Sequence, residues 1–268
     1  AGQGRGEGAL ACDLAALLAE RDIFRGSDGI GARHTTPSDL LDRVEALGEW
    51  RRSGKGRGSW GEVDTYLCRG VDRASRELRG LLGVKGLGET YSAEDVGALL
   101  AQAFPDRIAR QREPGADRYL LANGKGARLS SRSAVRDLPY LVAVVMEDGK
   151  GGEGLIHQAS SITAEALRRD FGDGFIRKRL VEWDSRQGRV ICLEEERLGE
   201  IVIASRQVTP AGAEVQTALI DGLRSGAGLG ALNWTSQSMQ LRARVEFLAK
   251  LFPGDGWPDF SDKALLAA

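Results

Sequence analysis

The spacing of apolar residues changes at Pro105, and this change constrains the fold more than any other feature of the sequence. Between residues 9 and 104 apolar residues recur with helical spacing, as in "ALACDLAALLAERD" and "EVDTYLCRGVDRASRELRGLL". After Pro105 the period falls to two, in short runs such as "DRYLLAN", "YLVAVVMED" and "GEIVIASRQV". Turn pairs such as Asn123-Gly124 and Gln187-Gly188 separate these runs. The sequence therefore predicts a helical part followed by a β part.

Helical spacing returns after Thr209, so we predict an α+β chain in three parts. These are a bundle of about four helices over 1–105, an OB-like β-barrel with extra strands over 106–208, and a helical extension over 209–268. A short helix, "AEALRRDF", is expected after Thr163 within the β part. The predicted N-caps are Ser38, Ser92 (with Asp95 in capping-box spacing), Thr209, Thr235 and Ser261.

Both chain ends indicate a longer polypeptide, and composition narrows the class of protein. The sequence has no initiator Met, and the helix expected after Ser261 has barely begun, so we expect the extension to be truncated. The net charge of −1 argues against attraction of the whole molecule to nucleic acid. Cys12, Cys68 and Cys192 form no CxxC pair, which indicates a reduced, cytoplasmic setting. No apolar run reaches the ~20 residues that a membrane span requires.

No motif predicts catalysis, a cofactor or a metal site. The nearest approach to a P-loop, "GEWRRSGKG", has the wrong glycine spacing and a glycine where the hydroxyl residue belongs. "GVKGLGE" and "GAGLGALNW" are more typical of connectors than of dinucleotide loops. His34 and His157 have no neighbouring nucleophile, and Glu194 and Glu196 are expected on a solvated strand edge.

One segment is basic within this nearly neutral chain. Residues 101–140 contain eight arginines or lysines and four aspartates or glutamates. If "RYLLANGKGARL" is a hairpin, its turn presents Lys125, and Arg128 lies on the returning strand. These cations either contact a phosphate backbone or merely keep a helix end and a barrel rim hydrated. Tyr119 is the only aromatic residue between 105 and 139, so base stacking has little support there.

Six blocks occur in the same order as in HrpB-type ATP-dependent helicases, bacterial relatives of the DEAH-box RNA helicases, and the chain resembles this family over nearly its whole length. The blocks are "ALACDLAALLAERDIFRG", "AFPDRIARQR", "YLLANGKGARL", "GRVICLEEERLGEIVIA", "LNWTSQSMQLRARVEFL" and "WPDFSDKALLA".

The resemblance implies a portion running from the helical ratchet domain through an OB-like barrel into the HrpB-specific extension. ATP and Mg²⁺ would then bind in RecA-like motor domains of the parent polypeptide, because no P-loop or DExH box is present here. The implied partners are single-stranded RNA or DNA and those motor domains, without a membrane. The candidate nucleic-acid contacts are Arg107, Arg110, Arg112, Lys125 and Arg128.

Two other functions stay open. The chain could be a protein-interaction scaffold whose C-terminal helices bind a partner, or a free-standing OB-type binder of single strands. The apolar stripe from Met239 to Leu251 would be the docking face of the scaffold, and the alternative is that this stripe packs against the barrel.

Overall fold

The computed structural model describes residues 7–25, 35–85, 90–149 and 152–267. Within these ranges the part before Pro105 contains four α-helices and a short hairpin. They are α1 (Gly8–Ala19), α2 (Asp39–Ser53), β1 (Arg57–Gly58), β2 (Gly61–Glu62), α3 (Thr65–Leu82) and α4 (Ala93–Ala103).

Local side-chain chemistry sets the ends of these helices. The Ser38 hydroxyl accepts the amide of Leu41 at the start of α2, and Ser92 and Asp95 form a reciprocal capping box on α4, so both predicted caps are confirmed. Gly54 and Gly83 end α2 and α3 in the left-handed conformation that glycine adopts without strain.

The glycine-rich segment after α2 forms the β1–β2 hairpin, although its composition predicted only a polar connector. The Glu49 carboxylate accepts the Ser59 amide at 2.9 Å and lies 2.5 Å from the position that a Cβ on Gly58 would take. Glycine at residue 58 therefore lets the hairpin pack closely on α2, which composition alone does not reveal.

The next five strands are β3 (Ile108–Gln111), β4 (Arg118–Leu121), β5 (Gly126–Leu129), β6 (Tyr140–Glu147) and β7 (Gly154–Ser161). They form a closed barrel in the order β3–β4–β5–β7–β6. All neighbours are antiparallel except β5 and β7, which run parallel. Tyr119, Leu141 and Ile156 fill the interior. The predicted α+β class and the barrel are therefore confirmed.

The remaining α-helices and strands of the described chain are α5 (Ala164–Phe171), β8 (Phe175–Asp184), β9 (Arg189–Leu198), β10 (Ile201–Gln207), α6 (Gly212–Gly222), α7 (Ser236–Leu251) and α8 (Asp262–Ala267). The three strands form a sheet of order β10–β9–β8. Thr235 caps α7 as predicted, but Thr209 does not cap α6. Pro210 and Ala211 extend the chain, and Glu214 accepts the Ala211 amide at 2.7 Å, which delays the start of α6.

Backbone contacts divide the chain into two compact units. The first runs to Ile176 and includes Arg197–Ile203, and the second comprises Arg177–Glu196 and Ala204–Ala268. Both clusters of buried apolar side chains belong to the first unit. The division into three domains at 105 and 208 stays a prediction. None of the helices in the described residues combines the length and apolarity that crossing a membrane requires.

A buried carboxylate joins α2 to the barrel within the first unit. Asp39, the first residue of α2, accepts hydrogen bonds from the Ser133 hydroxyl at 2.6 Å, the Ala134 amide at 2.8 Å and the Ala159 amide at 2.9 Å. Burial raises the pKa of this carboxyl despite these three donors. The contact fixes the start of α2 on β7 and on the loop that precedes β6.

A second buried carboxylate holds three helices together. Asp13 of α1 accepts two hydrogen bonds from Arg51 of α2, both at 2.8 Å, and one from Arg79 of α3 at 2.7 Å. Burial alone would raise the pKa of Asp13, but the hydrogen bonds from Arg51 and Ser75 and the nearby positive charges lower it overall. Arg51 also donates to Asp72 at 2.8 Å, so one guanidinium links α1, α2 and α3.

Candidate nucleic-acid interface

Three arginines lie side by side on the outer face of the barrel. Alternation along β4 and β5 turns Tyr119 and Ala127 inward and Arg118 and Arg128 outward. Arg118 pairs directly with Arg128 across these strands. The register of β3 against β4 extends the line, because the Arg112 amide donates to the Arg118 carbonyl at 3.0 Å. We call Arg112, Arg118 and Arg128 the arginine row.

Neighbouring carboxylates balance part of the charge of the arginine row. Arg128 donates to Asp117 at 2.6 Å, which raises the pKa of its guanidinium, and Arg118 lies 3.8 Å from Glu153. All three arginines are exposed. Among the residues that the structure describes, Arg112 has no ion-pair partner. The row is therefore a solvated cationic surface, in which Arg112 is uncompensated by any carboxylate of the described ranges.

Lys125 lies in the turn of the β4–β5 hairpin, which confirms the predicted hairpin. Gly124 has a φ of 85°, which explains the glycine at this turn, and the Asn123 side chain accepts the Lys125 amide at 3.0 Å. The Lys125 side chain is exposed, and within the described ranges its ammonium has no ion-pair partner. It is therefore available to an anion.

Arg107 is held by the protein itself. Its guanidinium donates to the Val144 carbonyl at 2.9 Å and lies 4.9 Å from the centre of the Phe104 ring. These contacts hold the single 3₁₀ turn, Pro105–Arg107, that joins α4 to β3. Arg107 therefore has a structural role at this junction.

Arg110 lies on the outer face of β3, opposite Leu120, and its guanidinium donates to the Val202 carbonyl. Of the five predicted contacts, Arg112 and Arg128 share the arginine row, Lys125 lies at the end of the same hairpin, and Arg107 and Arg110 bind protein carbonyls. Arg118 was not among the predicted contacts, although its alternation with the inward Tyr119 indicates that it faces outward.

The aromatic residue of this segment is not a stacking platform. Tyr119 is fully buried in the barrel, and its hydroxyl donates to the Leu138 carbonyl at 3.1 Å. Burial is the main reason that the pKa of this phenol is raised. The outer face can therefore contact a backbone through cations, but this tyrosine cannot read or stack on bases.

The groups considered for catalysis are scattered. His157 lies on β7 with its Nε2 atom 3.2 Å from a Glu147 carboxylate oxygen, and His34 is outside the described residues. Glu194 is bound by Arg206, and the hydrogen bond and charge of Arg206 lower its pKa. Over the described ranges, no three His, Cys, Asp or Glu residues are placed to hold a metal ion together.

Secondary structure explains the segment that comes nearest to a P-loop. The first six residues of "GEWRRSGKG" form the end of α2. They are therefore helical and cannot wrap a phosphate as a P-loop does. The last residues of "GVKGLGE" lie outside the described residues.

Comparisons with known proteins agree on one family. A family model described as the connector region of the ATP-dependent RNA helicase HrpB matches residues 175–208, which contain β8, β9 and β10. The curated ATP-dependent RNA helicase HrpB of Escherichia coli K12 is 35% identical over 197 residues, which are 72% of this chain and 24% of that protein. The chain thus spans about a quarter of the length of this relative.

Two solved structures are also similar to the chain. A crystal structure of the E. coli DExH-box NTPase HrpB is 27% identical, covers 98% of this chain and 31% of its own, and has a TM-score of 0.46. A crystal structure of the E. coli DEAH/RHA helicase HrpB is 27% identical with a TM-score of 0.45, and the match covers 98% of this chain and 32% of that one. The sequence matches to the connector model and to the curated relative support the identification of this chain as a C-terminal portion of an HrpB-type helicase.

Proposed function

We propose that this chain lines the path of a single nucleic-acid strand, most simply RNA, in an ATP-dependent helicase. The observation that carries the proposal is the arginine row, in which Arg118 of β4 and Arg128 of β5 are paired in register and Arg112 follows the end of β3 beside them. Arginine binds phosphate in a bidentate way, and phosphate contacts supply affinity without sequence selection. Lys125 extends this surface at the end of the hairpin.

The barrel is proposed to be OB-like. Its order places the third strand beside the fifth in parallel and closes the first strand against the fourth, which supports this assignment. OB barrels commonly bind single strands through a positively charged groove. The helices α1–α4 are proposed to be the ratchet-like domain, which is supported by the family and by the network of Asp13 that fixes three of them together.

In this proposal the chemistry of ATP hydrolysis belongs to RecA-like motor domains of the parent polypeptide, which hold ATP and Mg²⁺. The present residues convert closure of the motor into movement of the strand. The junction at Pro105–Arg107 supports this coupling because a single turn joins α4 to the barrel.

Salt-dependent RNA binding tests the proposal. The probe is a fluorescein-labelled single-stranded oligo(U), and its anisotropy is measured with the purified chain between about 50 and 200 mM salt. Replacing Arg112, Arg118 and Arg128 by Ala should weaken binding and reduce the slope of log K against log[salt] by about 2, since each lost contact on a single strand contributes about 0.7.

A matched control replaces three exposed cations outside the barrel, Lys178, Arg186 and Lys263, by Ala. This variant has the same net charge as the triple arginine variant, so it separates a local contact from general electrostatic attraction. An unchanged slope in the arginine variant, or an equal loss in the control, would exclude the arginine row as the binding surface.

A further inference from the structure

The turn between β9 and β10 is anchored in the first unit. It belongs to residues 175–208, which match the HrpB connector region. Residues Arg197–Ile203 are part of the first unit, and we call them the connector turn. Ile201 is fully buried and Ile203 nearly so, in the same apolar cluster as Ile108 of β3. The connector turn therefore contributes to the core of this unit.

The connector turn makes a close contact with the β4–β5 hairpin. The Glu200 amide donates to the carbonyl of Ala122, the residue that follows β4, at 2.9 Å. A Cβ on Gly199 would lie 2.3 Å from the same carbonyl oxygen, and Gly199 has a φ of 56°. Both the left-handed backbone and the approach of Ala122 therefore require glycine at residue 199. The two turns pack backbone against backbone.

Two side chains of the barrel also bind the connector turn. The Arg110 guanidinium of β3 donates to the Val202 carbonyl, and the Tyr140 hydroxyl of β6 donates to the Ile203 carbonyl at 3.0 Å. Arg110 and Tyr140 are paired directly across β3 and β6. The connector turn is thus held by three neighbouring parts of the barrel: β3, β6 and the β4–β5 hairpin.

These contacts lie next to the arginine row. Alternate residues of a strand share a face, so Arg112 lies on the same side of the chain as Arg110. On β4 the same alternation places Arg118 on the face of Leu120, which is paired with Arg110. At about 3.3 Å per residue, the row begins about 7 Å from the Arg110–Leu120 pair. Lys125 lies in the hairpin turn itself, so the connector turn borders the whole cationic surface.

We propose that the connector turn holds the β4–β5 hairpin in place and thereby positions Lys125 and the arginine row for a single nucleic-acid strand. Its residues act through the barrel and are positioning residues. A fixed scaffold reduces the free energy lost in ordering the groups that bind a ligand. The consequence for RNA rests on the proposed function, whereas the support of the hairpin does not.

Gly199→Ala tests the contact without changing any charge. The added methyl group would meet the Ala122 carbonyl, so the connector turn should separate from the hairpin. The matched control is Gly188→Ala in the β8–β9 turn, where φ is 63° and a Cβ has no atom of the described chain within 4 Å. Both variants place alanine in a left-handed conformation, so they differ in the contact with Ala122.

The first measurement is hydrogen exchange of residues 121–126 in the purified chain, followed by mass spectrometry. We expect these amides to exchange at least about tenfold faster in Gly199→Ala than in Gly188→Ala, while β7 keeps its protection. Tyr140→Phe removes only the hydroxyl that binds Ile203, so it should give a smaller effect in the same direction. This milder variant supplies the test if Gly199→Ala does not fold.

The second measurement is the anisotropy of labelled oligo(U). Gly199→Ala should bind it more weakly than Gly188→Ala and lower the slope of log K against log[salt] by about 0.7, the contribution of one phosphate contact on a single strand. The substitution removes no cation, so a lower slope reports displacement of the binding groups.

The outcomes separate this inference from the proposed function. Equal exchange of residues 121–126 in Gly199→Ala and Gly188→Ala would overturn the inference, whether or not RNA binds. Faster exchange in Gly199→Ala with the RNA affinity and salt slope of the control would also overturn it, because the cations would not depend on the contact. Faster exchange in Gly199→Ala together with no binding of oligo(U) by the wild type would support the connector turn as the element that holds the hairpin and exclude the proposed function.

Discussion

Asp39 shows how much of the first unit depends on one side chain. Its carboxylate is the acceptor for one hydroxyl and two backbone amides that belong to the barrel and to the loop before β6. All three donors are buried, so no water can replace the carboxylate without rearrangement. A residue that the sequence marks only as the start of a helix thus holds that helix on the barrel.

Replacing Asp39 by Ala should lower the free energy of unfolding by about 3 kcal/mol or more, because each buried donor left without an acceptor costs about 1–3 kcal/mol. Asp39→Asn keeps one acceptor oxygen and should cost less. Urea unfolding followed by circular dichroism measures both. The control is Asp106→Asn at an exposed position, and similar losses in the control and in Asp39→Ala would contradict this role.

Asp13 predicts a pH dependence of stability. Its pKa in the folded state is lower than its ordinary value of 3.8, so ionisation of this carboxyl favours folding. The contribution is fully present above pH 3.8 and is lost as the pH falls through the folded-state pKa. Asp13→Asn should cost about 3–5 kcal/mol near neutral pH, since it breaks a buried charge pair.

The measurement is the difference in unfolding free energy between the wild type and Asp13→Asn as a function of pH. This difference should shrink as the pH falls below 3.8. The pKa of Asp39 is raised, so its contribution to stability has the opposite pH dependence and is largest at low pH. Both proteins contain Asp39, so this contribution cancels in the difference. A difference that does not change with pH would refute the assignment to Asp13.

At the scale of elements, α4 and β7 pack backbone against backbone. A Cβ on Gly97 of α4 would lie 1.9 Å from the Ser161 carbonyl oxygen of β7. No side chain fits this gap, so the glycine sets the distance between helix and strand. The helical pattern predicts α4, but the sequence alone does not show which neighbouring segment requires a glycine at residue 97.

Gly97→Ala should destabilise the chain by about 1–3 kcal/mol, because overpacking outweighs the gain in helix propensity. The matched control is Gly70→Ala on α3, where a Cβ meets no atom within 4 Å and the φ angle is helical. That change should stabilise the chain by up to about 1 kcal/mol. Thermal unfolding of both variants tests the pair, and equal shifts of Tm would be evidence against close packing at Gly97.

Local sequence patterns predicted most helices and strands. They did not predict which residues of different strands lie side by side. The caps at Ser38, Ser92 and Thr235 and the β4–β5 hairpin follow from neighbouring residues, and the structure confirms them. The arginine row depends on the register between strands that are distant in sequence, so the sequence suggested its charge without its geometry. The exposure of α7 was also undetermined, because an apolar period does not reveal whether a partner covers it.

At the scale of the whole molecule, the two units differ in the apolar surface that they bury. Both buried apolar clusters consist of residues from the first unit. Burial of apolar surface is the main stabilising contribution, so the second unit should be the less stable of the two.

Hydrogen exchange followed by mass spectrometry tests this difference. Amides in α6 and α7 should exchange faster than those in β3, β6 and β7 under conditions where the chain remains folded. Uniform protection across both units would mean that they unfold as one.

The junction between α4 and β3 has a mechanical consequence. One 3₁₀ turn separates them, and Arg107 clamps it by stacking on Phe104 and donating to Val144. Because the connection is this short and is held by two side-chain contacts, we expect α4 and β3 to move together. A force on a polymer bound to the strands would therefore reach α4 through a short, braced connection, whereas a longer linker would stretch first.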